Sequence, residues 1–241
     1  MAIDRWMQQQ VLAGAPPLLR LYRWSRPSLS LGRHQQRWPS HWQQLHEQGL
    51  LELVRRPSGG RAVLHAGDLT YALAMRPDGQ QREAVYRQCC QWLQLAFARA
   101  GQPLCFGGAA AAIAQQRSNC FATATTADLV EPSGAKRIGS AQCWQSGVLL
   151  QHGSLLLNPP PLLWRQVFGA APPALSALAW SEAELAQQLR RAAEQKLCSS
   201  GLIDQPLSRA EWDAVAALER AQASPLASML RATGANPMPS G

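Results

Sequence analysis

Three short segments hold residue types that can do chemistry. The first surrounds Lys136, one of only two lysines among 23 basic residues. It lies in Gly134-Ala135-Lys136-Arg137-Ile138-Gly139-Ser140-Ala141-Gln142, ahead of the apolar run Gly147 to Leu157. Lysine shifts its pKa readily and donates as a compact point charge, whereas arginine is bulky, planar and permanently charged. A chain this sparing with lysine keeps one where a guanidinium cannot serve; the plain alternative is a solvated loop lysine. Gly139-Ser140 allows a tight backbone, and His152-Gly153-Ser154 offers another point of close approach. His152 taken alone reads as a hydrogen-bonded core histidine before a catalytic one.

The second segment is Arg55-Arg56-Pro57-Ser58-Gly59-Gly60-Arg61-Ala62-Val63-Leu64-His65. A Ser-Gly-Gly turn after a buried strand brings backbone N–H groups close to a ligand. Flanking arginines can hold a phosphate or a polar headgroup. A surface hairpin turn with charged flanks fits the same residues. It is not a P-loop, because no Gly-Lys-Ser/Thr follows. The third segment, Arg117 to Thr123, contains Cys120, and nothing local marks that thiol among the six cysteines.

The elements that must position these segments are legible from periodicity. Residues 2–13 read as a helix stopped by Gly14 and Pro16-Pro17. Strands are expected at 18–24, 28–32, 50–55 and 69–75. Ser40 is expected to cap a short helix that holds Glu47 and stops at Gly49. Glu83 to Ala100 has helical spacing, and 107–118 reads as a loop or a weak helix. Short strands are expected around Cys120, Leu129 and Ile138, then at 148–150 and 154–157 on either side of His152-Gly153. Helices follow at 161–168, 182–198 and 208–222. Strands in the middle and helices at the end give an α+β class with a mixed, mainly antiparallel sheet. One domain over 1–222 is expected, with 160–222 as its helical C-terminal portion and 223–241 as a disordered tail.

Composition narrows the partners. No run approaches the ~20 apolar residues of a membrane-spanning helix. Met1-Ala2-Ile3-Asp4-Arg5-Trp6 turns polar at once, so no signal peptide and no membrane association are expected, and the default compartment is the cytoplasm. The cysteines show neither a Cys-x-x-Cys pair nor zinc spacing, so no metal site is expected. The net charge of +8 admits an acidic partner through steering. Nucleic acid is not expected as a partner, because the basic residues are scattered and no nucleic-acid motif accompanies them.

Together, Arg55 to His65, the Lys-x-x-Gly-Ser-Ala-Gln run at Lys136 and Leu150-Gln151-His152-Gly153-Ser154 resemble the lipoate–protein ligase A-like family. This family lies within the biotin/lipoyl ligase superfamily, which is class II synthetase-like in fold. Met1 to Trp6 and Leu29-Ser30-Leu31-Gly32 extend the likeness over roughly residues 1–160. The strand that usually precedes the first helix has no counterpart here, and the Gly-Arg-Gly-Arg loop of biotin ligases is absent.

Two chemistries occur in such proteins. Lipoate ligases carry a third glycine after Ser-Gly-Gly and an Asn-Asp pair before the lysine; this chain has Arg61 and Ala127-Asp128. Octanoyltransferases carry Gly-Gly-Arg and a Cys-Phe pair, matched by Cys120-Phe121, with Cys120 sixteen residues before Lys136. The stretch Ala122 to Asp128 departs from the usual Asp-Ala-Pro and aromatic–Glu sequence.

The resemblance implies transfer of an octanoyl or lipoyl group from acyl carrier protein to a lipoyl-domain lysine through a Cys120 thioester, as a step in protein lipoylation. Cys120 and Lys136 would be catalytic. Arg56, Ser58, Gly59, Gly60, Arg61, His65, Gly139, Ser140, Ala141, His152 and Gly153 would bind substrate, and Val63, Leu73 and Leu149 would line an acyl tunnel. The implied acceptors are the glycine cleavage H protein or a 2-oxoacid dehydrogenase E2. No cofactor is expected. ATP and Mg enter only under the alternative of an ATP-dependent lipoate–protein ligase. A non-catalytic lipoyl-domain or acyl-carrier binding protein is a further alternative.

Overall fold

The computed structural model describes residues 1–79, 81–108, 128–198 and 200–233, and side chains within them up to residue 221. The order is α1 (Ala2–Leu12), β1 (Leu18–Tyr22), β2 (Ser28–Leu31), α2 (Ser40–Glu47), β3 (Glu52–Arg55), β4 (Val63–His65), β5 (Asp68–Met75), α3 (Arg82–Arg99), β6 (Cys105–Phe106), β7 (Leu129–Val130), β8 (Lys136–Gln145), β9 (Val148–Leu156), α4 (Pro161–Phe168), α5 (Glu182–Leu197) and α6 (Arg209–Thr233). The expected α+β class holds. A six-stranded sheet runs β1-β5-β9-β8-β7-β6 with every neighbouring pair antiparallel. A three-stranded sheet runs β3-β2-β4, where β2 pairs with β3 in parallel and with β4 antiparallel.

The two faces of the large sheet do different work. Paired residues share a face, and successive residues alternate. Tyr71, Leu73, Leu149, Gln151, Gly153, Leu155, Ile138 and Ser140 therefore share one face. Helices α3 and α5 cover it, packing Trp92, Leu93, Phe97, Leu185 and Leu189 against Tyr71, Ile138 and Leu155. Ala72, Ala74, Leu150, His152, Ser154, Gly139 and Ala141 share the other face. Trp6, Met7 and Val11 of α1 cover one end of it. The small sheet covers the far end, where Leu29, Leu31 and Leu64 pack with Leu156 and Trp164. His152 lies between these two covers.

Several boundaries differ from the sequence reading. Residues 148–156 form one strand, not two segments broken at His152-Gly153. Pro39, not Ser40, holds the cap position of α2, and no side-chain cap bond forms there. Strands β4 and β6 were not expected; three and two residues are too short to show a period. Helix α6 runs to Thr233, so 223–233 is helix where a disordered tail was expected. Cys120, Phe121, Ala127 and most of 107–118 lie outside the described residues.

Candidate active site beneath the Ser-Gly-Gly turn

The turn between β3 and β4 is held from within. Arg56 is buried and donates to Ser30 O at 2.7 Å, Gly59 O at 2.8 Å and Arg61 O at 2.5 Å. Sequence reasoning gave Arg56 to a ligand headgroup; in the fold its guanidinium shapes the turn by binding the carbonyls of the turn and of β2. Gly60 takes φ +91°, a region that favours glycine. Gly32 lets the turn pack onto the end of β2, because a Cβ there would lie 1.9 Å from Gly60 O. Gly59 faces open space, and Arg61 beyond it is half-buried.

Two Asp–His–Ser chains lie under this turn. In one, Ser58 Oγ is 2.6 Å from His152 Nε2, and His152 Nδ1 is 3.1 Å from Asp4 Oδ2. In the other, Ser30 Oγ is 2.9 Å from His65 Nε2, and His65 Nδ1 is 2.8 Å from Asp68 Oδ2. All six residues are buried. Asp68 Oδ2 also accepts from Ser154 at 2.7 Å and Thr70 at 3.2 Å, and the Trp24 ring stacks on His65 at 4.3 Å. His65 was expected to bind substrate; it braces β4 against β5 and β9. Asp4 also accepts from Tyr22 OH at 3.1 Å and Arg20 Nη1 at 3.3 Å.

The electrostatics follow from these contacts. Burial favours the neutral acid at Asp4, but the hydrogen bond from His152 and nearby positive charge outweigh it and hold the carboxyl below its ordinary range. Burial lowers the His152 pKa, against the pull of Asp4. Burial also pushes the Cys89 and Cys90 thiols up to about 12, which makes them poor nucleophiles.

The floor beside His152 is made of small side chains. Ala72 and Ala141 flank it in register, and Gly139 sits opposite Ser154 one step along. Ser140 faces the other way and accepts from Tyr71 OH at 2.7 Å. Gly153 is closely packed. A Cβ there would meet Tyr71 Cε1 at 2.5 Å and Ser140 Oγ at 2.7 Å, so the glycine makes room for the Tyr71 ring. Of the residues expected to line an acyl tunnel, Leu73 and Leu149 pack with Val85 and Cys89 beneath α3, and Val63 packs with the small sheet.

Lys136 opens the strand that carries Gly139 and Ala141. It is buried, and its Nζ lies 2.9 Å from Asp128 Oδ1. Asp128 thus holds the ammonium in place. Next to it, Arg137 pairs with Glu131 and donates to Leu156 O at 2.8 Å, tying β8 to the end of β9. Among the described residues no group of His, Cys, Asp and Glu is arranged to hold a metal. A cavity of about 460 Å³ opens elsewhere, between α1, β1 and the segment entering α6, and includes none of the expected site residues.

Sequence reasoning missed Asp4, Asp68 and Ser30. Asp4 left one trace. It shares the i, i+3, i+4, i+7 stripe of α1 with Met7, Gln8 and Val11, all buried, where an acid needs a partner.

The comparisons agree with this architecture. Residues 1–171 match the family model described as the lipoyl protein ligase A/B catalytic domain. The chain belongs to that family. Among curated relatives, octanoyltransferase LipM of Symbiobacterium thermophilum is 34% identical over 174 residues, covering 68% of this chain and 63% of the relative. The Moorella thermoacetica LipM is 39% identical over 168 residues, covering 66% and 60%. The Lysinibacillus sphaericus LipM is 32% identical over 205 residues, covering 80% and 70%. The chain thus spans about 60% of the length of the first two. A lipoate-protein ligase A solved with ATP bound superposes with a TM-score of 0.70 at 18% identity, over 90% of this chain and 87% of that one. The bipartite lipoate protein ligase of Thermoplasma acidophilum, studied with its E2 lipoyl domain, gives 0.68 at 19% identity, over 90% and 85%. At these identities the structural likeness shows the fold. No described helix is long and apolar enough to cross a membrane.

Proposed function

We propose that this protein transfers an octanoyl group from acyl carrier protein to a lipoyl-domain lysine, with Cys120 as the nucleophile and Lys136 as its electrostatic partner. The observation that carries the reading is the run of octanoyltransferase relatives at 32–39% identity. Cys120-Phe121 and Arg61 in the chain itself accord with it. A free thiol has a pKa of ~8.5, and a neighbouring ammonium favours the thiolate. The Cys120 thiolate attacks the donor thioester carbonyl; a new C–S bond forms and the carrier thiol leaves. Thioester-for-thioester exchange is close to neutral, so the acyl group rests on the enzyme without being trapped. The acceptor amine then displaces the Cys120 sulfur and forms an amide, a downhill step. Two easy transfers replace one hard one. Backbone N–H groups beside Gly60 and Gly139 are suited to the tetrahedral oxyanion.

Acyl carrier proteins and lipoyl domains are acidic, and the +8 charge of this chain favours encounter with both. The scheme uses no nucleotide and no metal. Intact mass after incubation with octanoyl-acyl carrier protein, without ATP, tests it. The wild type gains one octanoyl group and Cys120→Ser gains none. An adduct that persists in Cys120→Ser, or maps to Cys143, overturns the assignment. Pyrophosphate release that requires both lipoate and ATP would establish the ligase chemistry instead.

A further inference from the structure

The cavity of about 460 Å³ between α1, β1 and the segment entering α6 has no part in the octanoyl-transfer scheme. Its volume lies in the ~300–1,000 Å³ range of small-molecule sites, which are mostly apolar with a few placed polar groups. Ile3, Met7 and Gln10, spaced i, i+4 and i+7, give it one wall from a single stripe of α1. Trp212 stands at its rim and is 51% exposed, so solvent reaches it. The charges decide what it takes. Arg20 and Glu211 are the two charged residues that line it. Glu211 is already engaged: it accepts from Ser208 N and Ser208 Oγ at 2.7 Å each, closing the cap of α6. Arg20 is not fully engaged. Its Nη1 donates to Asp4 Oδ1 at 3.3 Å, and its guanidinium lies 3.8 Å from the centre of the Tyr22 ring. Among the described residues its Nε and Nη2 have no hydrogen-bond acceptor. Asp4 and Tyr22 thus hold a planar fork in place with one edge open, and that edge matches a carboxylate.

The cavity is polar at one end only. Arg20 meets Asp4 in the first turn of α1, whereas Ala15, Pro16 and Leu18 close the end beside Gln10. At ~1.5 Å per residue the wall from Ile3 to Gln10 is about 10 Å long, the reach of roughly eight extended carbons. We propose that this cavity binds a free medium-chain carboxylate, with its head group on Arg20 and its alkyl chain lying along α1 toward Ala15 and Pro16. The ligand is an uncombined acid held away from the Ser-Gly-Gly turn, so the site stands whether or not the protein transfers octanoyl groups.

Trp6 and Trp212 both line the cavity and serve as local reporters. The full chain is labelled with 5-fluorotryptophan, and the two ¹⁹F signals are assigned from Trp6→Phe and Trp212→Phe. Octanoate should shift both signals saturably. Octanol, of the same length but uncharged, should bind roughly tenfold more weakly, because it forgoes charge-assisted bonds to the guanidinium. Octylamine should shift neither signal. Arg20→Met should bring octanoate down to the octanol level. Ala15→Trp, in the loop between α1 and β1, fills the apolar end and should abolish binding of both; it decides the matter even where Arg20→Met does not fold. The proposal is overturned by octanoate that leaves both signals in place, by octylamine that binds as tightly as octanoate, or by octanoate affinity unchanged in Ala15→Trp. Shifts produced by phosphatidylglycerol vesicles but not by octanoate would overturn it in favour of a membrane lipid. Octanoate bound at an acyl-transfer centre elsewhere leaves these two reporters still, and failure of the octanoyl adduct to form leaves their response to octanoate unchanged.

Discussion

Gly32→Ala tests whether the Ser-Gly-Gly turn must sit where it does. The added Cβ would lie 1.9 Å from Gly60 O, 2.9 Å from Gly60 C and 3.3 Å from Gly59 C, all of them backbone atoms. Ordinary contact begins at 3.4 Å, so the turn must retreat by about 1.5 Å, a forced overpacking that costs about 1–3 kcal/mol. For a domain of this size each kcal/mol lowers Tm by about 2–4 °C, which gives roughly 2–12 °C. The same retreat pulls Ser58 off its 2.6 Å bond to His152. Under the octanoyl-transfer proposal the backbone N–H groups beside Gly60 serve the oxyanion, and misplacement by about 1 Å costs on the order of 10²-fold, so kcat/KM should fall by about that factor. Thermal unfolding and single-turnover transfer below the variant's Tm measure the two effects separately. Wild-type stability together with wild-type transfer would refute the packing argument. Gly59→Ala is the companion variant, because its methyl enters open space and leaves Tm unchanged.

Other consequences are as direct. The His152 pKa is lowered in the folded state, so unfolded chains bind the extra proton first as pH falls below ~6.5. Denaturant midpoints should therefore drop on acidification from that point, and His152→Gln should flatten the slope. Asp4, whose folded pKa is also lowered, adds a second loss that begins only as pH falls through ~3.9. Arg137→Met strands the buried Glu131 carboxylate and should cost about 3–5 kcal/mol by urea unfolding, much of it recovered in Arg137→Met/Glu131→Gln. Iodoacetamide at pH 8 should label the exposed Cys105 in the native protein, and Cys89 and Cys90 only after unfolding, because burial holds both near 12.

The sequence made long, regular elements plain and short or cross-linked ones opaque. The spacings of α1 and α3 read correctly because each buries one clear stripe, and β5 because it is a continuous apolar run buried on both faces. In β9 the glycine beside His152 resembled a break; it is in fact the gap into which the Tyr71 ring fits, a fact of tertiary packing with no local signature. The turn residues stood out by composition, yet the structural bonds of Arg56 and His65 could not be read from it. Their burial is set by carbonyls and an acid that fold back onto them. Asp4 was invisible as a site residue because its partners Tyr22 and His152 lie 18 and 148 positions away.

Those separations reach into how the molecule assembles. The Ser58–His152 bond spans 94 residues and the Asp4–His152 bond 148, so neither can form until the chain has brought α1, the turn and β9 into register. Contacts of such span close late, after the entropy of the long loops between them has been lost. In refolding experiments helix should therefore return before the buried His152 becomes protected, and a nascent chain that has not yet made β9 holds neither bond. The Asp4–His152–Ser58 chain thus works as a completion mark for the fold: it closes only in molecules whose first helix has met β9.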